Sequence, residues 1–242
     1  MSTAASVQKD LAAFARLNRV SDYLSFFKAG PGEYGEGDEF IGVRVPDSRE
    51  VAKAHKDLAF SEIQKLLNSK IHEERFVGLA ILVGQFKKAD HPKTRDEKAQ
   101  KEIFDFYLKN LYAQRVNNWD LIDSTAPYLG YYLLGKKTTP KFLDQLAKSQ
   151  SLWERRAAVM FTFAFIREFE LEDTLRLCKI LLKDKHDLMH KACGWMLREL
   201  GKQDLGALRD FLEENVKQMP RTMLRYAIEK MSERERQMWL KN

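Results

Sequence analysis

Apolar residues recur at three- and four-residue steps along most of this chain. The stretches "SVQKDLAAFARL" (6–17), "SEIQKLLNS" (61–69), "ERFVGLAILVGQF" (74–86) and "KEIFDFYLKNLY" (101–112) each place their apolar side chains along one helix face. No pair of alternating segments joined by a hairpin turn interrupts the pattern. The expectation is an all-α protein of about a dozen or more helices with short connections. Ser61 before Glu62, and Asp47-Ser48 after Pro46, read as helix starts. Two stretches read as loops: "KAGPGEYGEGDEF" (28–40), rich in Gly and acid, and the highly charged "KKADHPKTRDEKAQ" (87–100).

A weak repeat runs through the helices. "LLNSKIHEERFVGLAIL" (66–82), "LAKSQSLWERRAAVMF" (146–161) and "LLKDKHDLMHKACGWML" (181–197) each join an apolar helix, a polar turn and a second helix. Their alignment puts Arg75, Arg156 and Lys191 at one position near the start of each second helix. Arg156 and Lys191 are 35 residues apart, and a step of 37 back from Arg156 reaches Trp119. Helix pairs at this period are the signature of a HEAT-like solenoid. A curved α-α superhelix forming one domain over 1–242 is therefore expected, its second helices lining the concave side. In the same register Asp123 aligns with Met160 and Trp195, each one turn after Trp119, Arg156 and Lys191. One groove would then hold Trp119, Asp123, Arg156, Lys191 and Trp195.

Composition adds modest constraints. The 242 residues are 44% hydrophobic, enough for a sizeable core, and the formal charge is +6. That balance suits a polyanionic partner without requiring one. It is spread evenly, with 23 basic and 20 acidic residues in 1–150 against 18 and 15 in 151–242, so a basic surface must be made by folding. No segment approaches the roughly 18 apolar residues of a membrane helix, and the N-terminus has no signal-peptide pattern. Cys178 and Cys193 make no disulfide or metal framework and read as small core residues. A cytoplasmic protein is the simplest expectation.

Four blocks in order, "YGEGDEFIGVRVP", "NNWDLIDS", "SLWERRAAVMF" and "KACGWMLRELGK", resemble the HEAT-like-repeat DNA alkylation repair enzymes, the AlkD-type DNA glycosylases. The likeness runs from about residue 20 to 230. It implies that Trp119 and Asp123 flank a damaged nucleotide, that Trp195 is the second tryptophan of the site, and that Arg156 contacts DNA. Lys191 would join Arg156 on the phosphates. A tyrosine of the N-terminal helical segment approaches the lesion in that family, and its nearest match is Phe26, which keeps the ring and lacks the hydroxyl. The implied activity is hydrolysis of the N-glycosidic bond of cationic alkylated purines in duplex DNA, by a monomer with no cofactor and no metal, associated with the nucleoid when bound.

Plainer readings stand beside these. Asp123 on a helix is ordinarily a solvated acid, and tryptophans at helical spacing are ordinarily core, as Trp153 and Trp239 are taken to be. Arg156 and Lys191 can cover apolar surface with their stems. Asp120, in a first helical turn, reads as a helix-dipole partner. The five histidines show no metal spacing and are assigned no role, and "GEYGEG" lacks the context of a phosphate loop. Two other classes remain open: a non-catalytic DNA-structure binder that keeps the groove without the chemistry, and a protein-interaction scaffold.

Overall fold

The computed structural model describes residues 2–241. Among them are fifteen α-helices, four short 3-10 helices and one isolated β-bridge. The all-helical expectation is met. The chain forms two compact units, 1–125 and 126–242.

The first unit contains α1 (Ala4–Ala12), α2 (Val20–Phe26), α3 (Val45–Ala54), α4 (Phe60–Leu67), α5 (His72–Ala89), α6 (Glu97–Tyr112) and α7 (Trp119–Asp123). Helix α5 is its centre and packs on α3, α4, α6 and α7. Covered on most sides, it is apolar nearly all round, with Val77, Leu79 and Leu82 fully buried. Its N-terminal quartet His72-Glu73-Glu74-Arg75 is polar and just as buried, at 2–6% exposed. Such groups persist in a core only when paired.

The stretch 28–40 is irregular, as expected, but firmly held. Glu39 bridges Ile71, with the Glu39 N–H donating to the Lys70 carbonyl (3.0 Å) and the His72 N–H to the Glu39 carbonyl (2.8 Å). Just beyond it, Gly42 has φ +77°, and a Cβ there would lie 2.2 Å from the Arg16 carbonyl oxygen, so no other residue fits. The charged stretch 87–100 is half helix, and the loop is only its middle. Lys87 and Lys88 close α5, and Asp96 caps α6 by accepting the Ala99 N–H, which leaves 90–96 as the connection. Cations at one helix end and acids at the next helix start complement the two dipoles; in sequence they read as a single charged loop. The expected starts at Ser61 and Asp47 fall one to two residues inside α4 and α3.

The second unit contains α8 (Ala126–Leu129), α9 (Thr139–Ala147), α10 (Leu152–Arg167), α11 (Glu172–Ile180), α12 (Asp187–Gln203), α13 (Leu205–Asn215), α14 (Arg221–Ala227) and α15 (Glu233–Leu240). Here the helix-pair pattern is visible. Helices α10, α12 and α14 pack in series, while α9 packs on α10 and α11, and α11 on α12. The α12–α14 approach is close: a Cβ on Gly194 would lie 2.5 Å from the Met223 carbonyl oxygen. Trp153, Trp239, Cys178 and Cys193 are buried here, as expected. The charge is not shared evenly between the units. Residues 1–125 hold 19 basic and 19 acidic side chains, and residues 126–242 hold 22 and 16. The whole net charge of +6 thus belongs to the second unit.

Candidate functional site

Helix α7 is a single short turn built by its neighbours. Asn118 caps it in extended conformation, its side-chain oxygen accepting the Trp119 N–H at 2.9 Å. Leu121 and Ile122 are fully buried and Asp120 is 9% exposed, so one side of the helix is core. Trp119 and Asp123, one turn apart, are left half-buried on the other. The Phe26 ring meets Trp119 edge-on, with centroids 5.5 Å apart at 76°. Phe27 stacks on Trp119 at 5.5 Å and 18°, and on Phe40 at 5.1 Å. Phe26 is 62% exposed. The structure therefore joins three residues that the sequence proposed, Phe26, Trp119 and Asp123, within the first unit.

Behind Asp123 lies Tyr107 of α6, fully buried. Burial pushes its phenol well above the ordinary tyrosine range, and the nearby Asp123 charge adds to this. The Thr125 hydroxyl is 3.0 Å from the Tyr107 hydroxyl and 2.6 Å from the Leu121 carbonyl, tying α7 to α6.

A charged cluster, absent from the sequence reading, holds α7 from the other side. His72 Nδ1 donates to Asp38 Oδ2 and Nε2 donates to Asp120 Oδ2, each at 2.9 Å. Two carboxylates as partners require both ring nitrogens to carry protons. Burial works against that charge, but the Asp120 carboxylate and the two hydrogen bonds outweigh it, raising the His72 pKa to about 9. Burial also opposes the Asp38 charge; the His72 hydrogen bond and the Arg75 charge outweigh it and hold the carboxyl below its ordinary range. Arg75 Nη2 donates to Asp38 Oδ1 at 2.5 Å, and Asn118 Nδ2 to Asp38 Oδ2 at 3.4 Å. Asp120 is thus a first-turn acid, as read, but also a buried anchor. Glu73 accepts the backbone N–H groups of Ile41 (3.2 Å), Gly42 (2.8 Å) and Val43 (3.2 Å), while burial raises its pKa. The sequence signal for this cluster was the run "HEER" opening an otherwise apolar helix.

In the second unit Trp195 is half-buried on α12. Its indole N–H donates to Glu199 at 3.1 Å, and its ring lies 5.9 Å from Phe163. Lys191, one turn earlier, is partly exposed and pairs with Asp187 at 2.6 Å. Arg156 departs from expectation. It is 4% exposed, and its guanidinium donates to the Leu188 carbonyl at 2.6 Å, linking α10 to the first turn of α12. Met160 is fully buried as well. The aligned pairs Arg156/Met160 and Lys191/Trp195 therefore do not share an environment. Helix α10 packs on α8, α9, α11 and α12, so its apolar stripe spans most of its girth and the period gives no clear face. Its open side carries Phe163 and Arg167, whose guanidinium lies 4.3 Å from the Phe163 ring centroid. Neither was singled out in sequence.

Among the described residues no group of three His, Cys, Asp or Glu side chains is arranged to hold a metal, and no helix is long and apolar enough to cross a membrane.

The profile of a family described as DNA alkylation repair enzyme matches residues 7–231. Among solved structures, a predicted DNA alkylation repair enzyme from Enterococcus faecalis is similar, with a TM-score of 0.71 over 90% of this chain and 97% of its own. Its sequence is 14% identical, so that likeness carries the fold alone. No curated protein matches the sequence.

Proposed function

This chain belongs to the DNA alkylation repair enzyme family, which supports a role in DNA repair, and on that premise we propose that it is a DNA glycosylase acting on cationic alkylated purines such as N3-methyladenine and N7-methylguanine in duplex DNA. The observation that supports this reading best is the division of labour between the two acids of α7. Asp120 is spent on the buried His72 cluster, while Asp123 stands half-exposed one turn from Trp119.

A purine that already carries a positive charge leaves as a neutral base. No general acid is needed to protonate it, unlike the two-carboxylate glycoside hydrolases. The sugar approaches an oxocarbenium ion as the bond breaks. The Asp123 carboxylate stabilises that charge and orients the attacking water. The Trp119 indole offers an electron-rich face to the cationic nucleotide, and Phe26 braces it edge-on.

Within the second unit, Lys191 offers an ammonium to a phosphate and Trp195 an indole face to DNA. Arg156 supports them by fixing the first turn of α12 through Leu188. Arg167, beside Phe163, adds an exposed cation to the same unit, whose excess of basic residues suits a phosphate backbone.

The test is release of free base from duplex DNA containing N7-methylguanine. Release above the spontaneous rate supports the glycosylase. Salt-sensitive binding to that duplex without release moves the reading to a non-catalytic DNA binder.

A further inference from the structure

The Glu199 carboxylate, on α12 of the second unit, collects three side chains of one helix face. From one turn before it, Trp195 donates its indole N–H to Oε1 at 3.1 Å. Arg198 adds its Nε at 3.3 Å and its Nη2 at 3.2 Å, both to Oε1, and Lys202 Nζ donates to Oε2 at 2.6 Å. Spacings of three and four residues bring these groups together.

An isolated pair one turn apart on a helix contributes little. This one belongs to a fixed network. The Glu199 side chain is 13% exposed and that of Arg198 18%, so both charges lie largely out of water. Arg198 is clamped in turn, its Nη1 donating to Glu229 just past the end of α14. Burial works against the Glu199 charge, but the Lys202 and Arg198 contacts outweigh it and hold the carboxyl below its ordinary range. A charged acceptor gripped by a guanidinium that is itself tied to a neighbouring helix does not follow the indole. The indole is held to it.

An indole has one hydrogen-bond donor and no acceptor. With that N–H spent on Glu199 and the ring 5.9 Å from Phe163, what Trp195 still offers is ring surface. We propose that Glu199 is a positioning residue: it takes the Trp195 indole N–H, fixes the ring that the second unit offers to DNA, and restricts it to contact without hydrogen bonding. The inference rests on the function proposed above and names what sets the geometry of that contact. A ring with no free donor reads no hydrogen-bonding base edge, so Trp195 meets DNA independently of sequence. A protein that repairs lesions in any sequence context needs such a contact.

Glu199→Ala removes the acceptor and the charge. Glu199→Gln removes the same charge and keeps an acceptor oxygen at the same reach. Any gain in attraction to phosphate is common to both, so their difference reads the acceptor alone. The first readout is solvent exchange of the Trp195 indole N–H, followed by NMR of the whole protein and assigned by its absence in Trp195→Phe. Exchange should be about tenfold faster in Glu199→Ala than in the wild type and largely slowed again in Glu199→Gln. The second is single-turnover base release from N7-methylguanine duplex DNA. It should slow about tenfold in Glu199→Ala and recover in Glu199→Gln. In Trp195→Phe no N–H remains to be held, so adding Glu199→Ala should slow release no further, whereas a merely structural Glu199 would slow it in both backgrounds. Should Glu199→Ala not fold, Glu199→Asp draws the carboxylate back by one methylene and should speed indole exchange in the same direction.

Exchange that neither folded Glu199→Ala nor Glu199→Asp speeds, release slowed equally by Glu199→Ala and Glu199→Gln, or a further loss in the Trp195→Phe background overturns the inference. The exchange readout needs no activity, which separates the two claims. Exchange that depends on Glu199 in a wild type that releases no base contradicts the glycosylase reading and leaves a positioned indole in a DNA binder. Base release with exchange indifferent to Glu199 contradicts the inference and leaves the glycosylase.

Discussion

His72 Nε2 lies 2.9 Å from Asp120 Oδ2, and this one contact ties the first turn of α5 to the helix that carries Trp119 and Asp123. Helix α7 spans five residues, too short to be stable by itself. Its orientation is imposed by Asn118 at its cap, by Thr125 and Tyr107 at its end, and by the His72 ion cluster at its start.

That contact predicts a pH dependence. The folded pKa of His72, about 9, lies above its unfolded value near 6.5. Its stabilising contribution is therefore complete below about pH 6.5 and is lost as pH rises through about 9. Urea midpoints should fall between pH 7 and pH 9.5, by on the order of 3 kcal/mol in stability. His72→Gln should be less stable at pH 6 and should show a flatter profile over the same window. A wild-type midpoint that does not fall from pH 7 to 9.5 would contradict a charged His72.

The Phe26–Trp119 edge contact predicts energetic coupling without loss of fold. Phe26 is mostly exposed, so Phe26→Ala should change stability by no more than about 0.5 kcal/mol. Both Phe26→Ala and Trp119→Ala should slow base release. Because the rings touch, the double mutant should lose less than the sum of the two, with a coupling of about 0.5–1.5 kcal/mol. Additive losses in single-turnover rates would show that the rings act independently.

Much of this architecture was legible in sequence, and the failures have identifiable causes. The three- and four-residue apolar steps located the helices, and the pair repeat in 126–242 is present as α9 to α14. The face shared by Trp119 and Asp123 followed from their spacing of four. The His72 cluster did not, because Asp38, His72 and Asp120 are separated by 34 and 48 residues and meet only through the fold. Arg156 was misplaced onto an open surface because the alignment assumed equal exposure in each second helix. Helix α10 has neighbours on more sides than a two-layer repeat suggests, and these cover Arg156 and Met160.

This difference predicts contrasting arginine variants. Arg156→Ala removes a charged donor from the Leu188 carbonyl and should destabilise the protein by about 2–3 kcal/mol. Any loss of DNA affinity should follow that structural damage. Arg167→Ala, on the open side of α10, should leave the thermal midpoint nearly unchanged while weakening DNA binding. Its slope of log affinity against log salt should fall in magnitude by about one. A folded, stable Arg156→Ala with selectively lost DNA affinity would return Arg156 to direct phosphate contact.

In the proposed mechanism the Asp123 charge drives base release, and Asp123→Asn removes that charge alone. The substitution keeps size and hydrogen-bonding capacity and removes the negative charge. Base release from N7-methylguanine duplex DNA, measured in a single turnover, should slow about ten- to a thousandfold, or roughly 1.4–4 kcal/mol of barrier. Affinity for the duplex should be retained or increased, since removing an acid costs no attraction to phosphate. An Asp123→Asn protein that releases base at the wild-type rate would contradict the account.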